Sequence, residues 1–305
     1  MRHRILVAFL LALIAGPACA GGSLPSVLVT IKPIHSLVAA VMEGAGTPAL
    51  LIGGAASSHS YALKPSDARN IARAGIVFWV GPDLETFLTT PLANLAPDAK
   101  LIALGHAKGV RRLAARPAGL WTAPPAPVPD GRTNPHVWLD PDNAIAMTRA
   151  IAATLSQADP AHAPRYTANA AREIARIAAL DRTLAAKLAP VRTRPYIVFH
   201  DAYPYFESHY GLNAIAAVTV EPDRPAGPRR IALLRDALKA GKASCIFREP
   251  QFSPAVIRTL ARGTAVRVGV LDPLGADISP GPDLYLALMT ALADSIVQCL
   301  APRNP

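Results

Sequence analysis

From residue 26 onward, short unbroken apolar runs alternate with longer stretches whose apolar residues recur every three or four positions. Residues 26–31 read as a strand, Lys32-Pro33 as a turn, and 34–43 as a helix closed by Gly44. Residues 49–52 and 76–80 are further strands, with a helix over 65–74 between them and another opened by Gly81-Pro82-Asp83. None of these runs alternates apolar with polar, and such strands separated by helices predict a parallel sheet covered on both faces. Residues 107–135, rich in Pro, Ala and Arg, break the rhythm as a long loop. Helical pattern resumes at Asp140-Pro141, where Asp suits the N-cap and Pro the first helical position. Residues 164–188 hold no Gly or Pro after the first, which predicts a helix of roughly 25 residues, about 37 Å long. The strand and helix rhythm then returns, with strands at 196–199, 214–220, 244–247 and 265–271. The pattern therefore predicts an α/β fold of two lobes, with parallel sheets covered by helices, joined by one long rigid helix. The lobes are expected at 21–160 and 191–305, with the connecting helix at 161–190.

The first twenty residues have a different form. Arg2 and Arg4 precede an apolar run, and Ala18 and Ala20 bracket Cys19, which reads as an export signal cleaved after Ala20. Gly16-Pro17-Ala18 is a poor approach to a lipidated cysteine, so anchoring through Cys19 is disfavoured. Cleavage removes two arginines and one cysteine from a chain of 305 residues and net charge +10, which leaves 285 residues at +8 with two cysteines. An exported chain with two cysteines suits one disulfide, and too few thiols remain for a structural thiolate metal site. At 51% hydrophobic and 17% charged the chain is not a disordered one. Of its 31 basic residues 24 are arginines scattered singly, which reads as a solvated surface, not a nucleic-acid footprint.

Four polar residues share one structural position, at the end of a strand or in the loop before a helix: His59, His136, His200 and Asp272. In open parallel sheets, ligands gather outside the carboxyl ends of the strands. Three imidazoles and a carboxylate suit tetrahedral zinc. The separations of 77, 64 and 72 residues match no local metal motif, so spacing alone leaves a shared site and four separate turn or cap residues both open. His35 reads as a packing or capping residue, and His209 as a cation near a helix C-terminus. Glu249 reads either as support for a ligand or as a hinge or cap.

The segments IKPIHSLVAAVMEG, SSHSYALKPSDA, VFWVGPDLETFL, NPHVWLDPDNA, VFHDAYPYFESHYGL, FREPQFSP and VLDPLGADI follow one another along nearly all of the mature chain. In that order they resemble the signatures of the ZnuA family, the cluster A-I zinc-binding proteins of bacterial ABC importers. The resemblance implies two α/β lobes on one long helix with Zn2+ between them, held by His59, His136 and His200, with Asp272 or a water as fourth ligand. The acidic residue that some relatives carry beside the first histidine is Ser58 here, and the histidine-rich loop of many relatives is replaced by 107–135, which has no histidine. The resemblance also implies a Cys245–Cys299 disulfide. It implies a periplasmic carrier, monomeric and not an enzyme, that delivers zinc to a membrane permease with its cytoplasmic ATPase. A manganese- or iron-binding paralogue and an exported zinc hydrolase are the competing readings; neither a general-base motif beside the histidines nor a second carboxylate speaks for them.

Overall fold

The computed structural model describes residues 26–122, 133–220, 222 and 224–302. The export signal expected at 1–20 lies outside the described residues, as does the middle of the 107–135 loop. The chain builds two parallel four-stranded sheets of identical strand order. In the first, β1 (Val27–Ile31), β2 (Ala49–Ile52), β3 (Ile76–Trp79) and β4 (Lys100–Ala103) are arranged β2-β1-β3-β4, with α1 (Lys32–Met42), α2 (Pro65–Arg73) and α3 (Thr89–Leu95) as connections. The helices α4 (Pro141–Ala158) and α5 (Ala163–Leu188) follow. In the second sheet, β5 (Tyr196–His200), β6 (Ala214–Thr219), β7 (Cys245–Arg248) and β8 (Arg267–Val270) are arranged β6-β5-β7-β8. Here α6 (Pro204–Tyr210), α7 (Pro228–Lys239) and α8 (Ala255–Ala261) connect the strands, and α9 (Leu284–Leu300) ends the chain.

The two strands that carry each sheet's topology are β1 and β5. Every residue of VLVTI and of YIVFH is buried, as central parallel strands covered on both faces require. The fourth strand of the first sheet, β4, was not expected from the sequence. It is a four-residue edge strand, half exposed and opened by a lysine, and so lacks the continuous apolar run that marked its neighbours. The helix expected after Gly81-Pro82 starts later, as a 3-10 turn at Thr86–Leu88 that runs into α3. The intervening Glu85 is buried and accepts from Thr30 Oγ1 and from the Gly81 amide, which ties the ends of β1 and β3 together.

The long helix is α5, 26 residues with proline confined to its first turn. At 1.5 Å per residue it is about 39 Å long, in line with the expectation. It packs against α1, α4 and α9. The last of these belongs by sequence to the second lobe but closes back on α1 and α5. Its Tyr285 phenol donates to the Trp138 carbonyl at 3.0 Å, and the Trp138 indole donates to the Pro273 carbonyl at 2.9 Å. From the other direction the buried Lys32 ammonium reaches the Gly275 and Ala276 carbonyls. The larger hydrophobic core runs continuously through the first sheet, α4, α5, α9 and one face of the second sheet. Cys245 and Cys299 form a disulfide between β7 and α9. No helix among the described residues is long and apolar enough to cross a membrane.

Candidate metal centre

His200 is the last residue of β5, so the strand's register aims it out of the sheet's carboxyl edge. His136 ends the loop that returns to α4, held in place by the Tyr205 phenol on the Asn134 carbonyl at 2.7 Å. His59 lies in the loop between β2 and α2, which Asp67 braces by accepting from the Lys64 amide at 2.8 Å and the Tyr61 phenol at 3.0 Å. These three loops converge. His136 Nε2 lies 3.2 Å from His59 Nε2 and 3.1 Å from His200 Nε2, and one ring nitrogen from each of the three falls within 4.8 Å of the others. His136 and His200 are 3% exposed, and His59 is half-buried.

The other ring nitrogens decide what the cluster can do. Asn134 donates through Nδ2 to the Asp201 carbonyl, so its Oδ1 is the end that faces His136, and it accepts from both the His136 amide and Nδ1 at 2.9 Å. Glu249 sits on His200 Nδ1 with carboxylate oxygens at 2.6 and 2.8 Å. Nδ1 of both imidazoles is thus engaged, which leaves their Nε2 atoms facing each other across 3.1 Å as the atoms through which both rings would coordinate a cation. Tetrahedral zinc with bonds of about 2.0 to 2.1 Å would set its nitrogens about 3.3 Å apart, which these separations nearly match. Burial, with the neighbouring His200 and His59 rings, pushes the His136 pKa well below the ordinary histidine value, so that ring is kept neutral for coordination.

Asp272 does not join them. It follows β8 as expected, but Oδ1 accepts from the Gln251 side chain at 2.7 Å and from the Leu274 and Gly275 amides at 3.0 Å, and Oδ2 accepts from the Ala276 amide. Both oxygens are turned into their own loop, and the carboxylate stands outside the histidine group. In this structure Asp272, expected as the fourth member of the cluster, is held in the turn by three backbone amides. Glu249, read as either a ligand support or a cap, is the hydrogen-bond partner of His200. His35 is buried on the Pro48 carbonyl at 3.1 Å. His209 bridges Asp140 and Asp181.

Sequence reasoning passed over Asn134, Arg116 and Asp201. The Arg116 guanidinium is 6% exposed and pairs with Asp201 through Nε at 2.8 Å and with Glu207 at 2.6 Å, under the Trp121 ring 3.5 Å away. This ties the 107–135 loop to the residue that follows His200. The histidines border a small cavity of about 10 Å³, room for a single water-sized body, walled also by Ser58, Glu249 and Gln251. On the other side, His59 and His136 face a wider cavity of about 450 Å³ that Asp83, Asp201 and Arg224 also line.

A family model described as the periplasmic component A of a zinc-uptake complex, ZnuA, matches residues 27–299. The chain is 42% identical to the high-affinity zinc uptake system protein ZnuA of Brucella suis biovar 1, over 92% of this chain and 93% of that one. It is 36% identical to the protein of that name from Yersinia pestis, over 90% and 91%. Among solved structures, a ZnuA deletion mutant with zinc bound superimposes with a TM-score of 0.77 at 26% identity, covering 92% of this chain and 99% of that one. The periplasmic zinc-binding protein TroA of Treponema pallidum shares the fold, with a TM-score of 0.78 at 22% identity, covering 91% and 99%.

Proposed function

The chain belongs to the ZnuA family of periplasmic zinc-uptake components, substrate-binding proteins and not enzymes, and from that premise we propose that it captures one Zn2+ between its lobes and delivers it to an ABC importer. His59 and His136 from the first lobe and His200 from the second hold the ion. The observation that carries the reading is the convergence of the three Nε2 atoms, with those of His136 and His200 3.1 Å apart and their Nδ1 atoms held by Asn134 and Glu249. A carboxylate within the cluster would draw the site toward manganese, and Asp272 is engaged elsewhere, so three imidazoles favour zinc.

The protein acts as a monomer of a lobe at 21–160, a connecting helix at 161–190 and a lobe at 191–305, docking on a membrane permease served by a cytoplasmic ATPase. Metal reaches the histidines through the wider cavity, whose wall includes Asp83 and Asp201. Arg116, Trp138 and Tyr285 tie one half to the other, which favours a cleft that changes little in shape on binding.

Elemental analysis of protein purified from the periplasm, followed by competition between zinc and manganese, tests the reading. One zinc per chain is expected in the wild type, with none after His59, His136 and His200 are replaced together by alanine. Equal metal in both proteins, or a preference for manganese, would refute it.

A further inference from the structure

Asp272 stands outside the histidine cluster, but the side chain that ties it down borders that cluster. Gln251 lines the small cavity together with the three histidines, and its Nε2 donates to Asp272 Oδ1 at 2.7 Å. An ionised carboxylate only accepts, so this bond fixes which end of the amide is nitrogen. Gln251 lines the cavity and Asp272 does not, and with Nε2 committed to Asp272 the amide's Oε1 is the end left to meet a donor. That oxygen is buried and has no hydrogen-bond partner among the described residues. A buried acceptor held this firmly without a donor points to a ligand that supplies one.

We infer that Gln251 Oε1 accepts a hydrogen bond from the water that completes the tetrahedron of the captured zinc, so that a neutral amide sets the fourth corner. The inference rests on the zinc-capture reading. The cavity has room for one water-sized body and no more. A zinc-bound water is a strong donor, because the ion polarises its O–H bonds, and it has a vacant acceptor to meet. Asp272 then acts at one remove: the amides of residues 274–276 hold its carboxylate, the carboxylate orients the Gln251 amide, and the amide orients the water. Gln251 is a positioning residue, and by keeping the carboxylate one side chain away from the metal it makes the donor set three nitrogens and a water, which suits zinc better than manganese.

The test compares wild type with Gln251→Leu, which removes Oε1 at similar volume. Zinc affinity is read by competition with a chromophoric chelator, and the metal environment by the visible spectrum of the Co2+ form. The variant should still bind one zinc per chain, with affinity about 10- to 100-fold weaker, the usual loss when a group supporting a metal ligand is removed. Its Co2+ bands should shift while the melting temperature of the metal-free protein stays unchanged, a combination that a merely structural role would not give. A second measurement needs no variant: the low-temperature electron paramagnetic resonance of wild-type Co2+ protein should broaden in 17O-labelled water. Affinity equal to wild type in Gln251→Leu, or no broadening in the labelled water, would overturn the inference. Zinc binding that is absent from wild type, or that survives loss of all three histidines, would instead overturn the capture reading on which it rests.

Discussion

Replacing Arg116 with methionine should destabilise the protein by an amount that depends steeply on pH. The guanidinium makes charge-assisted hydrogen bonds through Nε, Nη1 and Nη2 to Asp201 and Glu207, and those carboxylates are 2% and 3% exposed. Methionine fills the space of the arginine stem but leaves two buried acids facing each other without their cation. Breaking a buried ion pair by removing one partner costs about 3 to 5 kcal/mol, chiefly from the uncompensated charge left behind. That is a large part of the roughly 5 to 15 kcal/mol that holds a domain together.

The direction with pH follows from Glu207. Burial raises its pKa above the ordinary glutamate value of 4.5, and Arg116 pulls against that rise. Without the arginine the folded-state value climbs further. A group with a raised folded-state pKa binds its proton more tightly in the native state, so stability is lost as pH rises from the unfolded value through the folded one. The penalty of Arg116→Met should therefore be smaller at pH 5 than at pH 8. Urea unfolding followed by tryptophan fluorescence at pH 5 and pH 8 reads both stabilities from midpoint and slope. A penalty below about 1 kcal/mol at pH 8, the value of an exposed pair, or one identical at the two pH values, would refute the argument. Zinc affinity should fall in the same variant, because Asp201 follows His200 in the chain and accepts through its carbonyl from the Asn134 side chain that orients His136.

Zinc affinity should weaken on acidification, since each imidazole must lose a proton before it coordinates, and chelator competition at pH 5 and pH 7.5 checks it. His136 is held neutral well below the usual histidine range, and identical affinities at the two pH values would contradict a histidine site. His209 should stabilise the fold at neutral pH. Burial alone would lower its pKa, but Asp140 and Asp181 override this and raise it to about 9, with Asp142 3.9 Å away and Arg111 on the far oxygen of Asp140. That stability is fully present below pH 6.5 and lost as pH rises through 9, so His209→Gln should melt lower than wild type at pH 6 and together with it at pH 10. Removing the disulfide by Cys245→Ala with Cys299→Ala should cost about 4 kcal/mol in chemical denaturation, from the loop closed by a separation of 54 residues. The zinc stoichiometry should be unchanged, because Cys245 opens β7 at the edge of the sheet opposite the histidines.

The strands that position the site were legible because burial on both faces leaves a continuous apolar run, and β1, β3, β5 and β7 all carry one. The disulfide was legible because only two cysteines, Cys245 and Cys299, lie beyond the first twenty residues. Convergence of His59, His136 and His200 was not readable from spacing: separations of 77 and 64 residues carry no local geometry, and the order of motifs along the chain supplied what distance could not. Arg116 could not be told from Arg111 or Arg112, since nothing in a loop full of arginines says which one is buried.

Asp272 and His200 show where position in the fold stops deciding the role of a side chain. His200 ends β5 and Asp272 lies just past β8, both at the carboxyl edge of the same sheet, and by the rule for open parallel sheets both are ligand candidates. The difference lies in the residues after them. Asp272 is followed by Pro-Leu-Gly-Ala, a turn that brings three backbone amides back within reach of the carboxylate, and a short acidic side chain bonds its own turn when amides are offered. His200 is longer, and Glu249 from the neighbouring strand's end takes Nδ1, which leaves Nε2 to project beyond the edge. The Asp-Pro-x-Gly signal was present in the sequence and favours a turn over a ligand. A strand-end aspartate before such a turn should be counted first as the turn's own acceptor, and the side chain that bonds it, here Gln251, is the place to look for a group that orients a metal-bound water.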